Sequence, residues 1–283
     1  MKKLAWCTDI HLDSTGDTDH GTVQLCQKIK QTGAEGVILT GDISTSVRIV
    51  HHLSVMDREL QMPVYFVAGN HDYYRGSVED VRRQLKELTN ISPFLRYMPL
   101  TPYVPLTPAT ALVGHDGWYD CLNGDVSKTD FVMNDWRLIR EFAVDFMRPA
   151  SGWASSGENG LTDKIVKTAQ HLAHEGVTHV AAGVKAAARQ HRNVVVLTHF
   201  PPFAAAARYK DVQQDAGSLP WYTSKMMGDM LLQAASAFPR TRITVFCGHT
   251  HGEWSCQVRP NLSVHVGAAE YGSPVVQPIV EVE

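Results

Sequence analysis

The 283-residue chain (31.4 kDa) sets 26 basic against 29 acidic side chains, a formal net charge of -3, with 44% hydrophobic and 19% charged residues. That balance excludes a disordered chain and a polybasic nucleic-acid arm, and the length allows roughly three quarters of the unfolded surface to be buried without covalent staples. The five cysteines (Cys7, Cys26, Cys121, Cys247 and Cys256) include no C-x-x-C pair, so free thiols are expected rather than a disulfide framework or a zinc knuckle.

In chain order, Met1-Lys2-Lys3 leads into an apolar run over 4–8 that meets Asp9 too soon for a signal-peptide core. No stretch approaches membrane-spanning length, so a cytoplasmic protein with no membrane partner is expected. The run at 4–8 reads as a buried strand, as do 37–40 and 64–68. Ile49, Leu53, Met56 and Leu60 share one helical face, and Val78, Val81, Leu85 and Leu88 share another. Pro93, Pro99, Pro102, Pro105 and Pro108 then interrupt any helix, and a further strand is predicted at 111–113. Helical segments are predicted around 131–147 and 161–190, separated by a Gly/Ser-rich loop at 151–160. Strands return at 194–198, 243–247 and 264–266. Alternating strands and helices define the α/β class, and the strand-rich flanks predict a single domain over 1–283 with an elaboration or cap within 93–192.

Polar groups of metal-ligand type follow five of these runs: Asp9 and His11, Gly41-Asp42, Gly69-Asn70-His71-Asp72, His199, and Gly248-His249-Thr250-His251. Ligands in α/β folds gather at the carboxyl ends of strands, where loops supply polar groups from a fixed backbone. In extended backbone, Asp9 and His11 would point the same way, as would His249 and His251. The glycines before Asp42, Asn70 and His249 would permit close backbone approach. The imidazole, carboxylate and amide set without a thiolate argues against a structural zinc centre and suits Mn²⁺, Fe or catalytic Zn²⁺, with Mn²⁺ favoured.

These five motifs, in this order and across nearly the whole chain, resemble those of calcineurin-like metallophosphoesterases. The resemblance implies a four-layer αββα sandwich of two mixed sheets with two divalent metal ions between the sheet edges. It assigns Asp9, His11 and His251 to the first ion, Asn70, His199 and His249 to the second, and Asp42 to both. It places His71 against the substrate as hydrogen-bond donor or acid, with Asp72 as its orienting partner. The implied activity is hydrolysis of a phosphodiester or phosphomonoester by a dimetal-bound hydroxide, with the diester favoured because a placed acid aids a poor leaving group. The chain departs from the family pattern three positions beyond Asp42, where Thr45 stands and can begin the next helix as a cap.

The loop holding His115, Trp118 and Tyr119 follows a predicted strand and is the remaining candidate for substrate contact, against the alternative that its aromatics pack the fold. His51, His52, His171 and His174 read as helix surface or packing residues. A small phosphate ester is the expected partner, since no basic run offers a footprint for a long nucleic acid. A nuclease, or a non-catalytic scaffold retaining the fold, are the alternatives.

Overall fold

The structure is a computed structural model that describes residues 1–16, 18–143, 159–209 and 212–283. Its strands in chain order are β1 (Lys2–Cys7), β2 (Gly36–Thr40), β3 (Val64–Val67), β4 (Leu95–Tyr97), β5 (Val104–Pro105), β6 (Thr110–Gly114) and β7 (Asn193–Leu197). A short hairpin β8 (Arg208–Tyr209) and β9 (Val212–Gln213) follows, then β10 (Arg242–Cys247), β11 (Trp254–Arg259), β12 (Leu262–Val266) and β13 (Val280–Val282). The helices are α1 (Thr18–Gln31), α2 (Ile49–Leu60), α3 (Val78–Ile91), α4 (Asp135–Leu138), α5 (Asn159–Ala187), α6 (Leu219–Tyr222) and α7 (Lys225–Ala237).

One sheet has the order β13-β1-β2-β3-β4 and the other β11-β12-β10-β7-β6-β5. The central strands of each are parallel, and β13, β11 and β5 pair antiparallel at the edges, so both sheets are mixed. Strands β2, β3 and β6 are buried along their whole length, which is why they read as unbroken apolar runs rather than as alternation.

The period of two sorts these side chains into layers. Leu4, Trp6, Ile38, Tyr65 and Val67 of the first sheet meet Leu112, Val195, Leu197 and Phe246 of the second across the central interface. Their sequence neighbours Ala5, Cys7, Val37, Leu39, Val64 and Phe66 face outward onto Leu25 and Ile29 of α1, Leu53 and Met56 of α2, and Val81 and Leu85 of α3. On the far side, Val113, Val194, Val196, Ile243 and Val245 lie under Val180 and Val184 of α5 and Met227 and Leu231 of α7. The result is the four-layer αββα sandwich. Helix α3 starts where Ser77 accepts a hydrogen bond from the Asp80 backbone N–H, a cap of the kind that stabilises by about 1 kcal/mol.

The seven predicted strands are present, and described residues within 93–192, the span in which an elaboration is expected, enter both sheets. Residues 95–97 extend the first sheet as β4, and after a proline-containing turn β5 and β6 enter the second sheet; α5 belongs to its outer layer. Prolines here end strands and turn the chain. Of the helix expected around 131–147, the described part forms only the single turn α4, because 139–143 leave the helix to run beside 75–76. Residues 144–158, and with them most of the expected Gly/Ser loop, lie outside the described residues. Among the described residues no helix is long and apolar enough to cross a membrane.

Candidate metal centre

Strands β1, β2 and β3 of one sheet and β7 and β10 of the other end at a common edge, and each is followed by one of the five polar clusters. The local backbone differs from the extended form expected for the two i, i+2 pairs. Asp9 (φ 47°), His11 (φ 38°), Asp42 (φ 50°), His249 (φ 70°) and His251 (φ 57°) are all left-handed. This region costs a residue with a Cβ roughly 1–2 kcal/mol. Asp9 and His11 therefore converge through a tight left-handed path rather than by strand alternation.

Hydrogen bonds hold that strained path in place. Asp9 and His11 donate their backbone N–H groups to the carbonyls of Gly41 and Asp42, both at 3.0 Å. The His249 N–H donates to Asp9 Oδ1 at 2.9 Å, and the His71 N–H to Asp42 Oδ1 at 2.9 Å. Close approach explains two of the glycines: a Cβ on Gly248 would lie 2.0 Å from Asp9 Oδ2, and one on Gly69 would lie 2.2 Å from Asp42 Oδ1.

Two groups of ligand atoms, each with its atoms within 4.8 Å of one another, share Asp42: Asp9, His11, Asp42 and His251, and Asp42, His199 and His249. In the first, His11 Nε2 lies 3.2 Å from His251 Nε2 and 3.7 Å from Asp42 Oδ2, and His251 Nε2 is 3.5 Å from Asp9 Oδ1. In the second, His199 Nε2 is 3.3 Å from Asp42 Oδ1, and Asn70 Oδ1 is 3.1 Å from both His199 Nε2 and His249 Nδ1.

The tautomers of the second group follow from its outer partners. His199 Nδ1 faces the Thr40 carbonyl at 2.8 Å and His249 Nε2 faces the Trp221 carbonyl at 3.3 Å. A carbonyl only accepts, so those nitrogens carry the protons and donate. The opposite nitrogens, His199 Nε2 and His249 Nδ1, are left with lone pairs aimed at Asn70 Oδ1, itself an acceptor. Acceptors that face one another in a buried space fit a cation, and imidazoles oriented by backbone carbonyls are the usual support of a metal ligand. The residues present therefore fit the two divalent ions that the motifs imply.

Electrostatics agree with that fit. Burial pushes His11 down to about 3, lowers His199, and holds His71 and His249 well below the ordinary imidazole range, so the rings are neutral near pH 7. Burial also opposes ionisation of Asp9, but the hydrogen bond with His251 and the nearby imidazoles outweigh it and hold Asp9 below its ordinary value. Asp42 is pushed well above the carboxylate range by burial and then by the charges of Asp9 and Asp72. A cation between the two carboxylates would offset that repulsion.

His71 reaches the edge of the site. Its ring stands 4.2 Å from that of Tyr74 and 4.7 Å from that of His11, and its Nε2 is 3.9 Å from Asp42 Oδ2. Asp72 does not orient it. Both Asp72 oxygens are occupied by backbone N–H groups, Oδ1 by Ile43 and Ser44 at 3.0 and 2.8 Å and Oδ2 by Gly69 at 2.8 Å, so Asp72 ties together the loops that carry Asp42 and Asn70. Thr45 does not cap α2 either, since the helix begins after Arg48 with no side-chain cap.

The proposed substrate loop is also corrected. Trp118 and Tyr119 are fully buried and pack against Phe142 and Phe200, while His115 is buried against His179 and accepts from the Gly117 N–H. Their ring area is spent on the core. Asp116 between them accepts from Ala68 N–H at 2.7 Å, the Tyr73 and Tyr97 hydroxyls at 2.7 and 2.5 Å, and Arg82 Nε at 3.3 Å, forming a buried polar knot between the two sheets.

Three features of the site had no sequence signal. Asp135 and Tyr74 contact the Asn70 amide, and the Trp221 carbonyl holds His249. Tyr271, 56% exposed, lies over the first ligand group with its ring 4.3 Å from His11 and 5.0 Å from His251. None belongs to a motif; a lone acid, tyrosine or backbone carbonyl acquires its meaning only from the fold.

Fold and site together define a phosphoesterase class with candidate metal-binding groups at a shared strand edge. The chain belongs to the calcineurin-like phosphoesterase family, whose model matches residues 2–253. Its fold is similar to that of a phosphopantetheinyl hydrolase from Mycobacterium tuberculosis (TM-score 0.66, 14% identity, covering 96% of this chain and 90% of that one). It is also similar to a dimetal phosphatase from Danio rerio (TM-score 0.52, 12% identity, covering 94% and 87%). No curated protein matches at the level of sequence.

Proposed function

We propose that this protein hydrolyses a small phosphate ester, with diesters favoured over monoesters, at a centre that holds two divalent ions. The observation that carries the reading is the meeting of seven side chains, distant in sequence, in two acceptor-rich groups that share Asp42. Asp9, His11 and His251 would hold one ion, Asn70, His199 and His249 the other, and Asp42 both; Mn²⁺ suits such a mixed oxygen and imidazole set. When bound, the ions would supply positive charge for the phosphoryl group and a water of lowered pKa.

The protein's own groups do the rest. His71, neutral at pH 7 because of burial and the neighbouring imidazoles, presents an N–H to a phosphoryl or leaving-group oxygen. An anion placed against it would raise its proton affinity and help it protonate a poor alkoxide. Thr40 and Trp221 fix two ligand rings through their carbonyls, so the lone pairs need no reorientation when substrate arrives. Tyr271 offers an exposed aromatic face at the mouth of the site to an organic group on the substrate.

The test compares bis(p-nitrophenyl) phosphate with p-nitrophenyl phosphate after the protein is stripped of metal and reloaded with Mn²⁺, Fe²⁺ or Zn²⁺. The expected result is turnover that depends on metal, is greatest with Mn²⁺ and is faster on the diester. Absence of turnover on either ester with every ion would contradict the enzymatic reading. Faster turnover of the monoester would reverse the preference.

A further inference from the structure

The geometry points to Asp135 as the positioning residue for Asn70, and so for the second metal position; this rests on the two-ion reading above. Asp135 Oδ1 accepts from Asn70 Nδ2 at 2.8 Å and from the Tyr74 hydroxyl at 2.7 Å. The Tyr74 oxygen in turn accepts from Asn70 Nδ2 at 3.1 Å. A tyrosine hydroxyl has one proton, and here it goes to the carboxylate, so the tyrosine oxygen can only accept from the amide. Both N–H groups of Asn70 are therefore taken, and its Oδ1 is turned toward His199 and His249.

Flipping the amide would place its carbonyl against a carboxylate oxygen and turn toward the His199 and His249 lone pairs an NH₂ group, which can donate to them but cannot bind a cation. In a space where Asp135 is fully buried and Asn70 is 2% exposed, water cannot relieve the meeting of carbonyl and carboxylate oxygens. A neutral ligand such as an asparagine amide depends on orientation more than a carboxylate does, because only one of its two terminal atoms can bind a cation.

The fold also fixes the carboxylate itself. Asp135 opens α4, and the chain after that helix runs beside the segment following His71: Arg75 N–H donates to the Leu138 carbonyl at 2.7 Å, and Arg140 N–H to that of Gly76 at 3.0 Å. The next residue, Trp136, packs edge-on to Trp221 with ring centroids 4.7 Å apart, and the Trp221 carbonyl holds His249. The described part of the segment between β6 and α5 thus supports Asn70 directly and His249 through Trp221.

The test is calorimetric titration of the metal-stripped full chain with Mn²⁺, with metal per chain counted by mass spectrometry and the melting temperature recorded. Wild type is expected to take up two ions. Asp135→Ala should weaken the second ion roughly 10- to 100-fold and leave the first within about twofold, the range typical for loss of a metal ligand's outer partner. Asp135→Asn, which retains an acceptor oxygen, should recover most of that affinity. Tyr74→Phe keeps the ring and removes only its hydroxyl, and should weaken the second ion severalfold with an unchanged melting temperature, which preserves the test if Asp135→Ala does not fold.

If Asn70→Ala loses the second ion while Asp135→Ala and Tyr74→Phe bind both as wild type does, the positioning role is overturned and the two-ion reading stands. Equal weakening of both ions together with a lowered melting temperature would also overturn it, by showing a general structural role. If wild type takes up fewer than two ions, or Asn70→Ala keeps both, the two-ion reading itself falls.

Discussion

Around Asp42 the two proposed metal positions are built in different ways. The first draws Asp9, His11 and His251 from left-handed turns that directly follow β1 and β10, and the exposed Tyr271 lies against two of its rings. The second uses Asn70, His199 and His249, each buried and each turned by a partner behind it: Asp135 and Tyr74, the Thr40 carbonyl, and the Trp221 carbonyl. All three ligands peculiar to the first group are left-handed and braced through their backbone, whereas in the second only His249 is left-handed and hydrogen bonds to the far sides of the ligands orient them. A pair of similar ions can thus rest on one half that the motifs build alone and one half that needs the rest of the chain.

The largest effect should come from the residue common to both halves. Asp42 lies 3.7 Å from His11 Nε2 through one oxygen and 3.3 Å from His199 Nε2 through the other. Asp42→Ala is expected to abolish uptake of both ions and to lower turnover by about 10³-fold, the scale of losing a principal electrostatic group. Retention of either ion at wild-type affinity would show that the halves do not depend on a shared carboxylate.

Behind the second half lies the Asp116 knot, whose backbone carbonyl accepts from the His199 N–H at 3.1 Å. Burial opposes ionisation of this carboxylate, but Arg82, His115 and the Tyr97 and Tyr73 hydroxyls together hold it below the ordinary range. A depressed carboxylate stabilises the fold fully above its unfolded value near about pH 4, and that contribution is lost as the pH falls through the folded value. Asp116→Asn should cost about 3 kcal/mol near neutral pH and flatten the acid side of the stability curve, as read by urea melts from pH 7 to 3. A variant whose stability falls with acid as steeply as wild type would assign the acid sensitivity elsewhere.

His71 touches the first half without belonging to either ligand group. His71→Ala is expected to keep both ions and slow turnover by roughly 10²-fold, most strongly on esters with poor leaving groups. Loss of metal from this variant would move His71 into the ligand set. The smallest effect belongs to Tyr271: Tyr271→Ala should raise KM for an aryl diester about three- to tenfold with kcat little changed, since an aromatic contact is worth about 0.5–1.5 kcal/mol. An unchanged KM would leave the tyrosine as a cover for His11 and nothing more.

The same contrast explains what could be read from the amino acids alone. The strands over the sheet centres were legible because they are buried on both faces and appear as unbroken Val, Ile and Leu runs. The ligand motifs were legible because each follows one of those runs. Edge strands were not: β11 is largely exposed and polar, and β13 is three residues long, so neither carries a buried pattern. Asp72 and the loop of His115, Trp118 and Tyr119 were misread because adjacency to a motif or a strand end does not reveal which way a side chain turns. Asp72 turned toward backbone N–H groups and the two aromatics toward the core. Asp135 was missed because its partner Asn70 is 65 residues away, and nothing around it marks a ligand's support.

The most direct measurement is anomalous diffraction from crystals of the protein loaded with Mn²⁺. Two peaks are predicted about 3.5–4 Å apart, on opposite sides of the Asp42 carboxylate. One should lie against Asp9, His11 and His251 and the other against Asn70, His199 and His249. A single peak, or peaks that leave Asp42 out of contact, would contradict the shared centre.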